Sequence, residues 1–212
     1  MTCSLHQLSA VRPFSRHFGS DRCLRWRHTE CPTSNLPEPG GVSMLKTQDF
    51  EPVFFAPFVS STMEVKRDWT DYNGHLNVAY YSLLFDRAFD EVLDLLGLGP
   101  SLARLRGSSF FTVETHTRYL RELAVGAPVR VTVRLVDYDD KRLHVFETLH
   151  HGTEGWVSAT LEQVALHVDL DSRRAEAMPD DVVERAAAMR VAHAALARPD
   201  GIGRAIGMPQ RC

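Results

Sequence analysis

The sequence predicts an α+β domain in which an antiparallel sheet wraps around one long central helix. Three observations predict it. One amphipathic helical run follows residue 77, four strand-like runs follow that helix, and turn residues separate those runs. The chain has 212 residues, enough for one domain with tails. Its composition is 44% hydrophobic and 24% charged, which argues against wholesale disorder. No window approaches about 18 uncharged apolar residues, so no spanning helix is available. The net charge of -3 and pI near 6.4 speak against a dedicated nucleic-acid binder.

The elements follow in chain order. Residues 1–43 carry Arg12, Arg16, Arg22, Arg25 and Arg27 against Asp21, Glu30 and Glu38, hold no sustained period, and end in Pro and Gly. They read as a disordered leader or a mis-assigned start, with Met44 as the first residue of the domain. Cys3, Cys23, Cys31 and Cys212 fall outside residues 44–211, so the domain expects no disulfide and suits a reducing cytoplasm. Residues 57–67 are β-branched and read as a first strand.

Val78, Tyr81, Phe85, Ala88, Val92, Leu95 and Leu96 then form one apolar stripe. Asn77 can cap the helix start, and Gly97, Gly99 and Pro100 end it. Leu83, Leu84 and Phe89 widen the stripe, so the helix should be covered on most sides.

Residues 109–122, 128–136, 142–151 and 156–170 read as strands. Short turns between successive strands imply antiparallel pairing. The third run sets Leu143, Val145, Glu147 and Leu149 against His144, Phe146, Thr148 and His150. Residues 180–197 read as a surface helix. The domain is expected at 44–178, with a C-terminal helix and tail at 179–212.

The densest polar cluster, Asp71, Asn73, Gly74, His75 and Asn77, sits at the start of the central helix. The first amides of a helix lack internal partners and carry partial positive charge. Amides around Gly74 and His75 could therefore polarise a carbonyl oxygen. Asp71, three residues before Gly74, could attack that carbonyl or deprotonate a water. The same residues would also serve as turn caps around a packed histidine.

Thr70-Asp71-Tyr72-Asn73-Gly74-His75-Leu76-Asn77, followed by Tyr80, Tyr81 and Asp86, resembles the active-site segment of hot-dog acyl-CoA thioesterases of the 4-hydroxybenzoyl-CoA thioesterase type. The resemblance spans about residues 57–175. It implies a hot-dog fold, hydrolysis of a small acyl-CoA to free acid and CoA, no cofactor, and a homodimer or homotetramer. It also implies catalytic roles for Asp71, Gly74, His75 and Asn77. The stretches Asp71–Tyr81 and Ser109–Arg121 resemble the small thioesterases of carnitine and betaine breakdown, which implies betainyl-CoA as the acyl donor.

Trp69, Tyr72 and Tyr80 flank this segment, and a ring cage there would suit a quaternary ammonium group. Glu114, His116 and Arg118 share one face of a strand by period two. Glu114 and His116 are read as groups lining the thioester pocket, of their own chain or of a partner subunit, or else as members of an ion-pair ladder with Arg118 and a neighbouring strand. Arg142, with Lys141 and Arg104–Arg106, is a candidate for CoA phosphates. The histidines have no zinc-ligand spacing, so no metal is expected. The expected partners are an acyl-CoA substrate and further copies of the chain, without nucleic acid or membrane. Two alternatives remain on the same fold. One is an enoyl-CoA hydratase, whose Asp-x-Asn-Pro-x-His motif Asp71–His75 lacks by one residue and a proline. The other is a non-catalytic acyl-CoA-binding protein.

Overall fold

The computed structural model describes residues 54–208. The leader, Met44 and all four cysteines lie outside the described residues. Six strands form one sheet in the order β1-β4-β5-β6-β3, with β2 also on β4. They are β1 (Phe58–Val59), β2 (Met63–Glu64), β3 (Ser108–Tyr119), β4 (Pro128–Tyr138), β5 (Arg142–His151) and β6 (Val157–Asp169). The long helix α1 (Val78–Leu96) lies against the inner face of that sheet, joined in the core by α3 (Asp180–Ala194). This is the expected α+β arrangement of the hot-dog fold.

Local chemistry accounts for the ends of α1. Asn77 Oδ1 accepts the Ala79 amide at 3.0 Å, which satisfies one of the free donors of the first turn. Gly97 closes the helix in the left-handed region at φ 85°. Tyr81, Leu84, Phe85, Ala88, Phe89, Val92, Leu93 and Leu96 are buried. Each large side chain removed from water contributes about 1.5–3 kcal/mol before ordering costs. They meet Val129, Val131, Val133 and Leu135 of β4, Leu143, Val145 and Leu149 of β5, and Ala159, Leu161 and Ala165 of β6.

Several expectations change. The helix stripe is rotated: Val78 and Leu95 are exposed, and Leu84 and Leu93 are buried instead. Ser82, Asp86 and Arg87 are exposed, so α1 is not covered on all sides. The first strand is two short pieces on β4 rather than one run over 57–67. Pro100 does more than stop α1. It begins a short helix α2 (Pro100–Arg106), where its missing N–H costs nothing. The strands β4, β5 and β6 form the expected antiparallel meander. By contrast, β3 does not pair with its successor β4. It crosses the sheet and pairs with β6.

The C-terminal helix also differs from a surface helix. Val182, Ala186 and Met189 belong to the main core. His193 is fully buried and joins two distant segments: the Leu135 amide donates to its Nδ1 at 3.0 Å, and its Nε2 lies 3.0 Å from the Phe55 carbonyl. Beyond α3 the chain stays on the sheet. Arg134 donates to the carbonyls of Leu196 and Ala197, and the Gly203 amide donates to Glu162 at 2.7 Å. Among the described residues, no helix is long and apolar enough to cross a membrane.

Candidate active site

The loop before α1 is built by a tight turn. The Gly74 amide donates to the Asp71 carbonyl at 3.0 Å, and Gly74 takes φ 81°. The Asn73 amide donates to Asp71 Oδ1 at 2.8 Å. This side-chain turn fixes the carboxylate while leaving it partly open to solvent. Two further bonds dock the loop: the Leu76 amide to the Leu123 carbonyl at 2.8 Å, and the Asn77 amide to the Trp69 carbonyl at 2.9 Å.

Asp71 lines a cleft of about 370 Å³ together with Val78, Tyr81, Tyr119, Arg121 and Glu122. The exposed Val78 is therefore a wall of this cleft rather than a lapse in the helix pattern. Tyr81 and Tyr119 meet edge to face at 5.0 Å. Burial holds the Tyr81 phenol above its ordinary range; the Ser158 hydroxyl works against that shift, and the charge of Glu122 adds to it. The ring stays a neutral donor. His75 Nδ1 lies 3.2 Å from Glu122 Oε2, which bridges the loop to the segment after β3.

The structure brings together Asp71, His75 and Asn77, and it changes the expectation for Gly74. The Gly74 amide is used within the turn, so it is not free to polarise a carbonyl. The amides of His75 and Val78 have no hydrogen-bond partner among the described residues, and both flank the helix mouth. Asn77 acts through its cap on Ala79.

The aromatic cage is not formed. Trp69 is buried and stacks on Tyr80 at 5.5 Å, while Lys66 and Arg87 sit over its ring at 5.2 and 5.3 Å. Those cations occupy the π-face that a ligand cation would need. Tyr72 is 96% exposed.

Glu114, His116 and Arg118 do share a face, but it is the outer one. A bulge at Val113 shifts the register of β3. After it, Glu114, His116 and Arg118 stand opposite Val164, Glu162 and Thr160, while Thr115 faces α1 across a cavity. Neither Glu114 nor His116 reaches the cleft of Asp71 in the same chain. Arg142 is clamped to Asp139, with Nε 2.7 Å from Oδ2, and Arg106 is held by Asp181. Both guanidinium charges are already matched. Among the described residues, no group of three His, Cys, Asp or Glu side chains could hold a metal ion.

Tyr81 was given no role of its own in the sequence, where it stood in the helix stripe and in the family-like segment, and Glu122 was not singled out; nothing in the spacing of residues 119–122 shows that they fold against the helix mouth.

The family model of the thioesterase-like superfamily matches residues 65–186. The betainyl-CoA thioesterase of Pseudomonas aeruginosa is 41% identical over 142 residues, covering 67% of this chain and 89% of that protein. An L-carnitine dehydrogenase/betainyl-CoA thioesterase of a Rhizobium species is 40% identical over 68% of this chain, a match that covers 29% of the larger protein. Among solved structures, a putative thioesterase of Pseudomonas putida KT2440 is 34% identical at TM-score 0.65, covering 74% of this chain and 99% of that one. A Staphylococcus aureus protein solved in complex with CoA is 28% identical at TM-score 0.67, covering 73% and 98%.

Proposed function

This chain belongs to the thioesterase-like superfamily, and from that membership we propose that it hydrolyses a small acyl-CoA thioester, betainyl-CoA first among them, to the free acid and CoA. The single observation that carries the reading is the Asp71 carboxylate, fixed by its own turn beside the unpaired amides at the mouth of α1.

The chemistry follows from that arrangement. The thioester carbonyl points its oxygen at the His75 and Val78 amides, where the helix end favours negative charge. Asp71 takes a proton from a water, and the resulting hydroxide adds to the carbonyl carbon. The tetrahedral oxyanion then collapses, the carbon–sulfur bond breaks, and the proton held by Asp71 passes to the departing thiolate. Attack by Asp71 itself would reach the same products through an acyl anhydride. Label found in Asp71 after a single turnover in ¹⁸O-water marks the anhydride route, with water adding at the Asp71 carboxyl carbon; the general-base route sends all label to the product acid.

His75 and Glu122 hold the rim of the cleft, and Asn77 positions the helix mouth. Gly74 serves the turn rather than the oxyanion. The acceptor strand of a second copy is β3. It forms one end of the sheet order, and Thr112, Val113, Glu114 and Thr115 are exposed along it. An unpaired edge of this length calls for a partner. A dimer in light scattering is the expected result, and a monomer at micromolar concentration would overturn that part. A cytoplasmic setting fits a domain with no cysteine between residues 44 and 211.

The test is thiol release by the full chain over short, aromatic, long-chain and betainyl CoA esters, with crotonyl-CoA hydration run beside it. Thioester cleavage that is lost in Asp71→Asn supports the reading. Hydration without thiol release would make the protein a hydratase, and binding without turnover would make it an acyl-CoA carrier.

A further inference from the structure

The inner face of β5 carries one residue that its neighbours do not match. Glu147 alternates with Leu143, Val145 and Leu149, and its side chain is fully buried. Gln163 Nε2 donates to its Oε1 at 2.7 Å, while Oε2 has no partner among the described residues. No Lys, Arg or His pairs with it among the described residues. Burial pushes the carboxyl well above the ordinary range; the Gln163 bond opposes that shift, and the charge of Asp86 adds to it. An acid buried beside another acid costs free energy unless a positive charge arrives.

A cavity of about 300 Å³ lies on the other side of Gln163. Phe85 and Asp86 of α1, Thr112 and Thr115 of β3, and Leu161 and Gln163 of β6 line it. Asp86 is its one charged lining group. Glu147 stands directly behind Gln163, close enough to Asp86 to feel its charge. The walls are therefore an aromatic ring, aliphatic side chains and small hydroxyls, with one carboxyl group and no fixed cation, and Glu147 adds a second acid behind them. Phe85 follows Tyr81 of the Asp71 cleft by four residues, about 6 Å along the helix axis. That is the reach of a short acyl group.

We propose that Asp86, on the cavity wall, and Glu147, held behind it by Gln163, select a cationic acyl group, receiving a quaternary ammonium head in the cavity beside α1 while Phe85 and Leu161 contact its methyl groups. This rests on the thioesterase reading and names what that site discriminates. A quaternary ammonium donates no hydrogen bond, so it is recognised by charge and by methyl contact alone. A neutral group of the same shape gains the contacts and forgoes the charge, so discrimination rests on the two acids.

The test uses an isosteric pair. Betainyl-CoA and 3,3-dimethylbutanoyl-CoA differ only by a nitrogen in place of a carbon. With the full chain, kcat/KM for the cationic ester is expected to exceed that for the neutral one by roughly a hundredfold. In Glu147→Gln and in Asp86→Asn that ratio should fall by about tenfold or more. Choline and 3,3-dimethylbutan-1-ol, titrated by calorimetry, give the same comparison without turnover. An unchanged ratio in both variants, each with an unaltered melting curve, overturns the proposal. If neither these two esters nor any other in the thiol-release screen is cleaved, the thioesterase reading fails by itself. The calorimetry then decides the present proposal: preference for choline, lost in Glu147→Gln, upholds it, and equal binding of the two alcohols overturns it.

Discussion

The Asn73 amide donates to Asp71 Oδ1 at 2.8 Å, so the carboxylate at the centre of the cleft is also the residue that shapes its own loop. Shape and chemistry can be separated there, because an amide oxygen accepts that bond as well as a carboxylate does. Asp71→Asn should therefore keep its melting temperature to within about two degrees while kcat falls by about 10³-fold. Thiol release and thermal unfolding on the same preparation check both halves. Loss of folding together with activity would return Asp71 to a structural role.

Gly74 has φ 81°, and a Cβ there would meet nothing within 4 Å. The cost of Gly74→Ala is then backbone strain alone, about 1 kcal/mol, with Gly74→Asn costing less. Urea denaturation of the two variants should rank them in that order. Because the Gly74 amide closes the turn on Asp71, both should also lower kcat more than they change stability.

Asn77 Oδ1 caps the Ala79 amide at 3.0 Å. Asn77→Ala should cost about 1 kcal/mol in denaturant unfolding, and Asn77→Asp should recover most of it. If alanine is neutral there, the cap does not secure the mouth of α1.

Asp90 behaves in the opposite sense to a paired carboxylate. Burial, then the charges of Asp86 and Asp94, raise it from 3.8 to about 6. The folded chain thus binds this proton more tightly than the unfolded chain. The group opposes folding increasingly as pH climbs from 3.8 to about 6, and by a constant amount above that. Asp90→Asn should stabilise by about 1 kcal/mol at neutral pH, allowing for its partial exposure, and the gain should vanish below the unfolded value. Melting curves of both proteins across that range test the sign.

Helix α1 and its two ends were legible because their causes are local: a stripe at helical spacing, a capping Asn77 and a left-handed Gly97. The meander from β4 to β6 was legible for the same reason. The partner of β3 was not, since pairing with β6 rather than β4 is set by the whole sheet. The side of the sheet taken by Glu114, His116 and Arg118 was not legible for a narrower reason. Period two is a correct rule for which residues stand together, but one extra residue at Val113 decides which side they stand on. Of the candidate site, the Asp71 loop could be read from its motif. The meeting of Tyr81 with Glu122 and the placing of Glu147 behind Gln163 arise from contacts between distant segments, which no local pattern encodes.

The imidazole of His193 has one nitrogen accepting from Leu135 and the other facing the Phe55 carbonyl, and that requires a neutral ring with its single hydrogen on Nε2. Burial holds the ring below its ordinary range; the bond to Phe55 opposes that, and Arg134 and Arg190 reinforce it. Acidification would fill the nitrogen that Leu135 needs. The last helix, the middle of the sheet and the segment ahead of the first strand are therefore fastened by one tautomer, and mild acid loosens all three at once.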